Sequence, residues 1–212
     1  VLLCAGDTLS RLTNPGDRAT DPLFGDAGAA VLVEKTGRSA PMHFVLGTDG
    51  SGAEAIRVGQ GGARQPSGDL VEQTDADGNR RHAANLCMNG ADVFSFTLRE
   101  VPPAVTAVMR LAGYEPKQVD AVLLHQANTF MVKTLGKKMG FTDEQTPSDI
   151  FADYGNQSSA SIPATLVQAL GGRLEAETLK LVGCGFGVGL SWGAFAGEIG
   201  PITVCPIQSF PR

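Results

Sequence analysis

Charge is scarce in this chain, at 18% of 212 residues, and no part of it is arranged to meet a membrane or a polyanion. No apolar run approaches the roughly 20 residues that span a bilayer, and no basic stretch precedes an apolar one at the start, as a secretory signal would require. The four cysteines, Cys4, Cys87, Cys184 and Cys205, form no C-x-x-C pair. That spacing excludes a zinc ribbon or a disulfide framework and leaves no metal site to expect. The formal net charge is -5 with a pI near 5.2, and the longest Lys/Arg runs are the pairs Arg80-Arg81 and Lys137-Lys138. A basic stripe able to neutralise phosphates is therefore missing, which excludes nucleic acid as a partner. Neither a repeat of 20 to 50 residues nor a low-complexity tract is present. These absences predict a protein of the reducing cytoplasm, with no membrane partner.

What is present is a 42% hydrophobic content, enough for the core of one large domain or two small ones. Val1 to Ala5, Ala29 to Val33, Val119 to Leu124 and Leu179 to Val182 are short Val/Leu-rich runs that read as buried strands. Helical spacing appears over Val93 to Leu111, broken early by Pro102-Pro103, and again over Thr129 to Met139 and Ser159 to Leu170. The alternation predicts a layered α/β fold. Gly59 to Arg81, rich in glycine and short on periodicity, reads either as a functional surface loop or as an insertion. The tail from Gly200 to Arg212 is expected to leave the core. Because Val1 opens in what reads as mid-strand, a segment upstream of it is expected.

Three motifs carry the chemistry. Leu123-Leu124-His125-Gln126-Ala127-Asn128 delivers a His at the C-terminal end of an apolar strand, where open α/β sheets gather ligands. A lone His is commonly structural, yet the strand-end placement and polar followers favour a catalytic reading. In Asp153-Tyr154-Gly155-Asn156-Gln157-Ser158-Ser159-Ala160-Ser161-Ile162-Pro163 a Gly-Asn turn feeds a helix crowded with small hydroxyl residues. Asn and Ser are ordinary turn and cap residues, but small side chains around Asn156 would admit a thin substrate arm. Gly183-Cys184-Gly185-Phe186-Gly187-Val188-Gly189-Leu190-Ser191-Trp192-Gly193 alternates glycines between two apolar strands. A strand rather than a helix follows it, which excludes a dinucleotide loop. The run reads either as a tight hairpin or as a close backbone approach that bares an N–H to a developing oxyanion.

In this order the three motifs resemble the C-terminal half of beta-ketoacyl-ACP synthase III enzymes. Asp17-Arg18-Ala19-Thr20 and Leu23-Phe24-Gly25-Asp26-Ala27-Gly28-Ala29-Ala30-Val31-Leu32 resemble the close of that family's first half. The resemblance covers residues 1 to about 199 and implies a thiolase-like layered α-β-α fold, with an incomplete N-terminal half over 1–38, a complete C-terminal half over 39–199 and a tail over 200–212. It implies decarboxylative Claisen condensation of an acyl thioester, acyl-CoA or acyl-ACP, with malonyl-ACP, in fatty acid or polyketide-type biosynthesis. No cofactor is implied beyond coenzyme A or phosphopantetheine as part of the substrate. Acyl carrier protein and coenzyme A thioesters are the implied partners, and a homodimer the implied assembly.

By resemblance, His125 and Asn156 donate to the thioester oxygen as decarboxylation charges it, a task suited to neutral donors. The Val188 N–H would serve the oxyanion hole of acyl transfer, and Phe186 would exclude water. Asn128 would line the pantetheine tunnel, and Arg18 would lie near the adenine of coenzyme A. The family's nucleophilic Cys sits at a helix N-terminus about 20 residues before the strand at which this chain opens, so it is expected outside these residues, leaving this chain alone inactive. Cys184, in a glycine run at a strand end, is expected to be buried and inert. Two departures stand out: Phe130 occupies a position that is basic in many relatives, and Gln157 one where Thr or Ser is usual. Alternatives are acyl transfer to an alcohol, amine or sugar without decarboxylation, and a non-catalytic subunit paired with a complete one or with an N-terminal half on another chain.

Overall fold

A computed structural model describes residues 1–35, 37 and 40–210. Strand β1 (Leu2–Asp7) pairs antiparallel with β2 (Ala27–Leu32), and β3 (His43–Thr48) opens the main sheet. After β4 (Ile56–Val58) the chain makes a long excursion holding a short hairpin, β5 (Gln73–Thr74) with β6 (Arg80–Arg81), and returns in β7 (Leu86–Met88) beside β4. There follow α1 (Gly90–Ala112), β8 (Ala121–Leu124), α2 (Thr129–Lys138), α3 (Ile150–Tyr154), α4 (Ser161–Ala176), β9 (Leu179–Gly187) and β10 (Ser191–Ile199). The main sheet has the order β3-β10-β9-β8, with β8 parallel to β9 and the other pairs antiparallel.

The pleat explains the layers. In β8 and β9, Val122, Leu124, Val182 and Cys184 face α1, while Ala121, Leu123, Leu179 and Leu181 face Leu170 and Leu174 of α4. Strands covered on both sides read as unbroken apolar runs, which is why they were visible in the sequence. Among the described residues no helix is long and apolar enough to cross a membrane.

Several sequence expectations need correction. Pro102 and Pro103 do not break the helix: α1 runs through them to its cap at Gly113. Their missing N–H groups leave the carbonyls one turn earlier, on the outer face, without intrahelical partners, a cost of about 3 kcal/mol or more. Val101, Ala104, Val105 and Val108 are all buried on the opposite face, and the three valines alone, at about 1.5–3 kcal/mol each, offset that cost. The strands at Val1 to Ala5 and Ala29 to Val33 form as β1 and β2 but are not buried, with Leu2 63% and Leu32 71% exposed. A two-stranded ribbon buries side chains only where a further layer covers it, and among the described residues the main cover comes from the turn before α4 and from α4 itself, with partial burial toward the Asp7 end. Past Ile199 the tail stays on the core for a few residues: the Ile202 N–H donates to the Leu174 carbonyl at 2.8 Å and Val204 packs on the α4 side. The division at residues 38 and 39 lies outside the described residues, as do 211 and 212.

Backbone pairing joins the early part of the chain to the site. Leu23 to Gly25 lies against Asn156 as an isolated parallel bridge, with the Asn156 N–H donating to Leu23 O at 2.7 Å and the Gly25 N–H to Asn156 O at 3.0 Å. Only glycine fits at 25, because a Cβ there would collide with the Tyr154 carbonyl oxygen. Gly25→Ala is therefore expected to lower stability by about 1–3 kcal/mol, read as a fall in thermal midpoint. An unchanged midpoint would show that the bridge does not hold the Asn156 turn.

Candidate active site

Strand β8 places His125. Its N–H donates to the Cys184 carbonyl at 3.0 Å, extending the β8–β9 pairing one residue past the strand. The chain then turns into α2, whose first turn is capped by Asn128 Oδ1 accepting from the Met131 N–H at 2.8 Å. Gln126 is fully buried and staples the turn, its Nε2 donating to the Leu124 and Pro147 carbonyls at 2.9 and 3.2 Å. His125 is thereby fixed between a strand and a capped helix.

Its ring is held on two sides. Nδ1 lies 2.7 Å from Ser161 Oγ, and Phe186 meets the imidazole edge-on with ring centroids 5.2 Å apart at 85°. Protein atoms surround it closely, and desolvation pushes the pKa down to about 4. The Ser158 backbone acts weakly in the opposite sense. At neutral pH the imidazole is uncharged.

Asn156, 7% exposed, sits in the turn between α3 and α4. Its Oδ1 accepts the Ser158 N–H at 2.9 Å, which commits the acceptor end of the carboxamide and leaves the amide end, Nδ2, without a hydrogen bond among the described residues. Ser158 pays for the tightness of this turn with a φ of 49°, a conformation non-glycine residues seldom adopt. A short 3₁₀ turn, Ser158–Ala160, then leads into α4. His125 and Asn156 are thus both anchored to the four residues from Ser158 to Ser161.

Other predicted site residues are placed less closely. Val188 lies in the β9–β10 turn, 61% exposed, and its N–H makes no hydrogen bond among the described residues. Asn128 is a helix cap. Arg18 is exposed and bonded only to the excursion, its Nη2 donating to Asp77 O at 3.1 Å and its N–H to Asn79 Oδ1 at 3.2 Å. The glycine run forms a hairpin, in which Gly183 makes room for the Phe195 ring. Cys184 lies within β9, not at its end, and burial pushes its thiol up to about 12. Cys4 is in β1, Cys87 in β7 and Cys205 in the tail, all exposed. No cysteine stands at a helix N-terminus, where a thiolate would be stabilised.

Ser158 and Ser161 were not singled out from the sequence. The crowding of hydroxyls at the start of α4 was visible, but which of them reaches His125 depends on the turn. Of the two departures, Phe130 is 71% exposed and stacks on Phe94 at 5.9 Å, and Gln157 is 3% exposed with its Oε1 unpartnered among the described residues.

The depressed pKa of His125 has a measurable consequence. From pH 6.5 down to about 4 the unfolded chain takes up a proton that the folded imidazole refuses, so stability falls as pH drops through that window and the loss levels off below it. The loss attributable to this group is at most roughly 3 kcal/mol. Denaturant titrations across the window should show a steeper loss for the parent than for His125→Gln. Equal slopes would mean that His125 titrates normally.

Comparison with known proteins identifies the family. A family model described as 3-oxoacyl-(acyl-carrier-protein) synthase III matches residues 1–50, and one described as the C terminal part of the same synthase matches 109–199. The beta-ketoacyl-(acyl-carrier-protein) synthase III of Gloeobacter violaceus is 36% identical over 201 residues, 94% of this chain and 59% of that protein. The crystal structure of a 3-oxoacyl-(acyl-carrier protein) synthase from Burkholderia xenovorans LB400 superposes with a TM-score of 0.87 at 40% identity, covering 97% of this chain and 57% of that one. The priming beta-ketosynthase of the R1128 polyketide pathway superposes with a TM-score of 0.72 at 25% identity, over 94% of this chain and 57% of its own length. The chain spans about three-fifths of the length of these relatives and shares their thiolase-like α/β fold. With both models matched in order and these relatives aligned across more than nine-tenths of it, the chain belongs to the beta-ketoacyl-acyl-carrier-protein synthase III family.

Proposed function

We propose that these residues form the decarboxylating side of a condensing acyltransferase, which joins an acyl thioester of coenzyme A or acyl carrier protein to malonyl-ACP. The acyl group rides on a thiol supplied from outside these 212 residues, since none of the four cysteines here suits the task. The bond between the malonyl carboxylate and its α-carbon breaks, carbon dioxide leaves, and the electron pair passes into an enolate whose charge rests on the thioester oxygen. His125 Nε2–H and Asn156 Nδ2–H donate to that oxygen. The enolate carbon then attacks the acyl carbonyl and the thiolate departs. Val188 N–H serves the oxyanion of the acyl step, and Phe186 keeps water from the imidazole. Asn128 and Arg18 are the proposed pantetheine and adenine contacts, and the working unit is a homodimer.

The observation that carries this reading is that His125 and Asn156, from separate stretches of sequence, both bond to the Ser158–Ser161 turn, with Phe186 packed against the His125 ring. Both donors suit an enolate because neither carries charge: a cationic imidazole would cost desolvation, whereas preorganised neutral dipoles need no rearrangement as charge develops.

His125→Ala and Asn156→Ala are each expected to slow malonyl-ACP decarboxylation by about 10²–10³-fold, and the double variant by less than the product of the two. Parental rates in both would overturn the assignment. With labelled acyl-CoA and malonyl-ACP, the product mass should be that of the ketide with release of carbon dioxide; a merely transferred acyl group would favour the non-decarboxylating alternative. In a protein that also carries the acyl-bearing thiol, Cys184→Ala should load acyl groups like the parent, and lost loading would make Cys184 the nucleophile.

A further inference from the structure

We infer that Ser161 is a positioning residue that sets the tautomer of His125, holding the proton on Nε2. The geometry is a short relay. The Gln126 N–H approaches Ser161 Oγ at 3.4 Å, and Oγ lies 2.7 Å from His125 Nδ1. A backbone N–H can only donate, so it occupies a lone pair of the hydroxyl. Among the described residues the hydroxyl proton then has one acceptor within hydrogen-bond distance, Nδ1. An imidazole that accepts at Nδ1 carries its proton at Nε2.

The relay is built to hold. Ser161 is 1% exposed, at the first position of α4, so water does not compete for its hydroxyl. Its own carbonyl is taken by Thr165 Oγ1 at 2.7 Å, which locks that turn of helix. Gln126 cannot shift without releasing the Leu124 and Pro147 carbonyls. Phe186 offers the ring an edge and no hydrogen bond, so it leaves the tautomer undecided. The Ser158 backbone, the other group acting on the ring among the described residues, pulls toward a charged ring and, in a neutral one, holds a proton on the nitrogen it faces. Desolvation overrides it: the imidazole stays neutral near pH 7, and a neutral ring must choose one nitrogen.

The use of this tautomer in catalysis rests on the proposed role of His125, but the tautomer itself does not. The test is therefore made on the chain without turnover, by the nitrogen-15 shifts of the His125 ring at pH 7. The expected result is an Nε2–H ring in the parent, retained in Ser161→Thr. In Ser161→Ala the preference should weaken by roughly tenfold, as loss of one such hydrogen bond implies. An Nδ1–H ring in the parent would overturn the inference, and so would an unchanged tautomer in a folded Ser161→Ala. If the alanine variant fails to fold, Ser161→Cys, a weaker donor of similar size, takes its place, and an unchanged tautomer there would equally overturn the inference. A parent that keeps the Nε2–H ring but does not decarboxylate malonyl-ACP when the acyl-bearing thiol is supplied would count against the proposed function, not against the relay.

Discussion

The site depends on one turn, the six residues from Asn156 to Ser161. It spends the carboxamide oxygen of Asn156 on the Ser158 N–H and offers the Ser161 hydroxyl to His125, so that two side chains 31 positions apart in sequence share one support. Everything around it serves to hold that turn still. The Leu23–Gly25 segment pairs with its backbone from one side, α4 begins at its end, and Ser159 is tied to Asp7 of β1 at 2.6 Å. A displaced turn would move both donors together.

Burial and charge point the same way. The chain has three histidines, and the one at the strand end is surrounded closely enough to stay neutral at physiological pH. A carboxamide whose oxygen is already committed is left with its N–H groups to offer, and a neutral imidazole offers one donor and one acceptor. Such groups stabilise charge that appears during a reaction while adding none of their own. Cys184, one strand away, shows the same environment acting on an acid: desolvation raises its pKa and removes it as a nucleophile.

Much of this was legible in the sequence, for particular reasons. β8 and β9 are buried on both faces, so their apolar runs were continuous, and His125 stood out as the polar residue that ends one. The glycine run was legible as a hairpin because a second strand followed it. The burial of β1 and β2 was misread because composition reports what a strand prefers to touch, not whether a layer is there to cover it. The helix through Pro102 and Pro103 was misread because local propensity lost to packing on the opposite face. Strand β3, whose exposed alternate residues include Phe44 and Leu46, was not recognised, since Gly47 leaves it short of side chains and the space is filled by the Trp192 ring from β10. The partners of His125 were hidden because three hydroxyl residues lie within four positions, and only the turn geometry selects Ser161.

The most direct test is a crystal structure with a malonyl-thioester analogue that cannot decarboxylate, bound through a pantetheine arm. The account predicts that its thioester oxygen accepts from His125 Nε2 and Asn156 Nδ2 together, each at about 3 Å. An oxygen held by only one of them, or an analogue bound away from the Asn156–Ser161 turn, would contradict it.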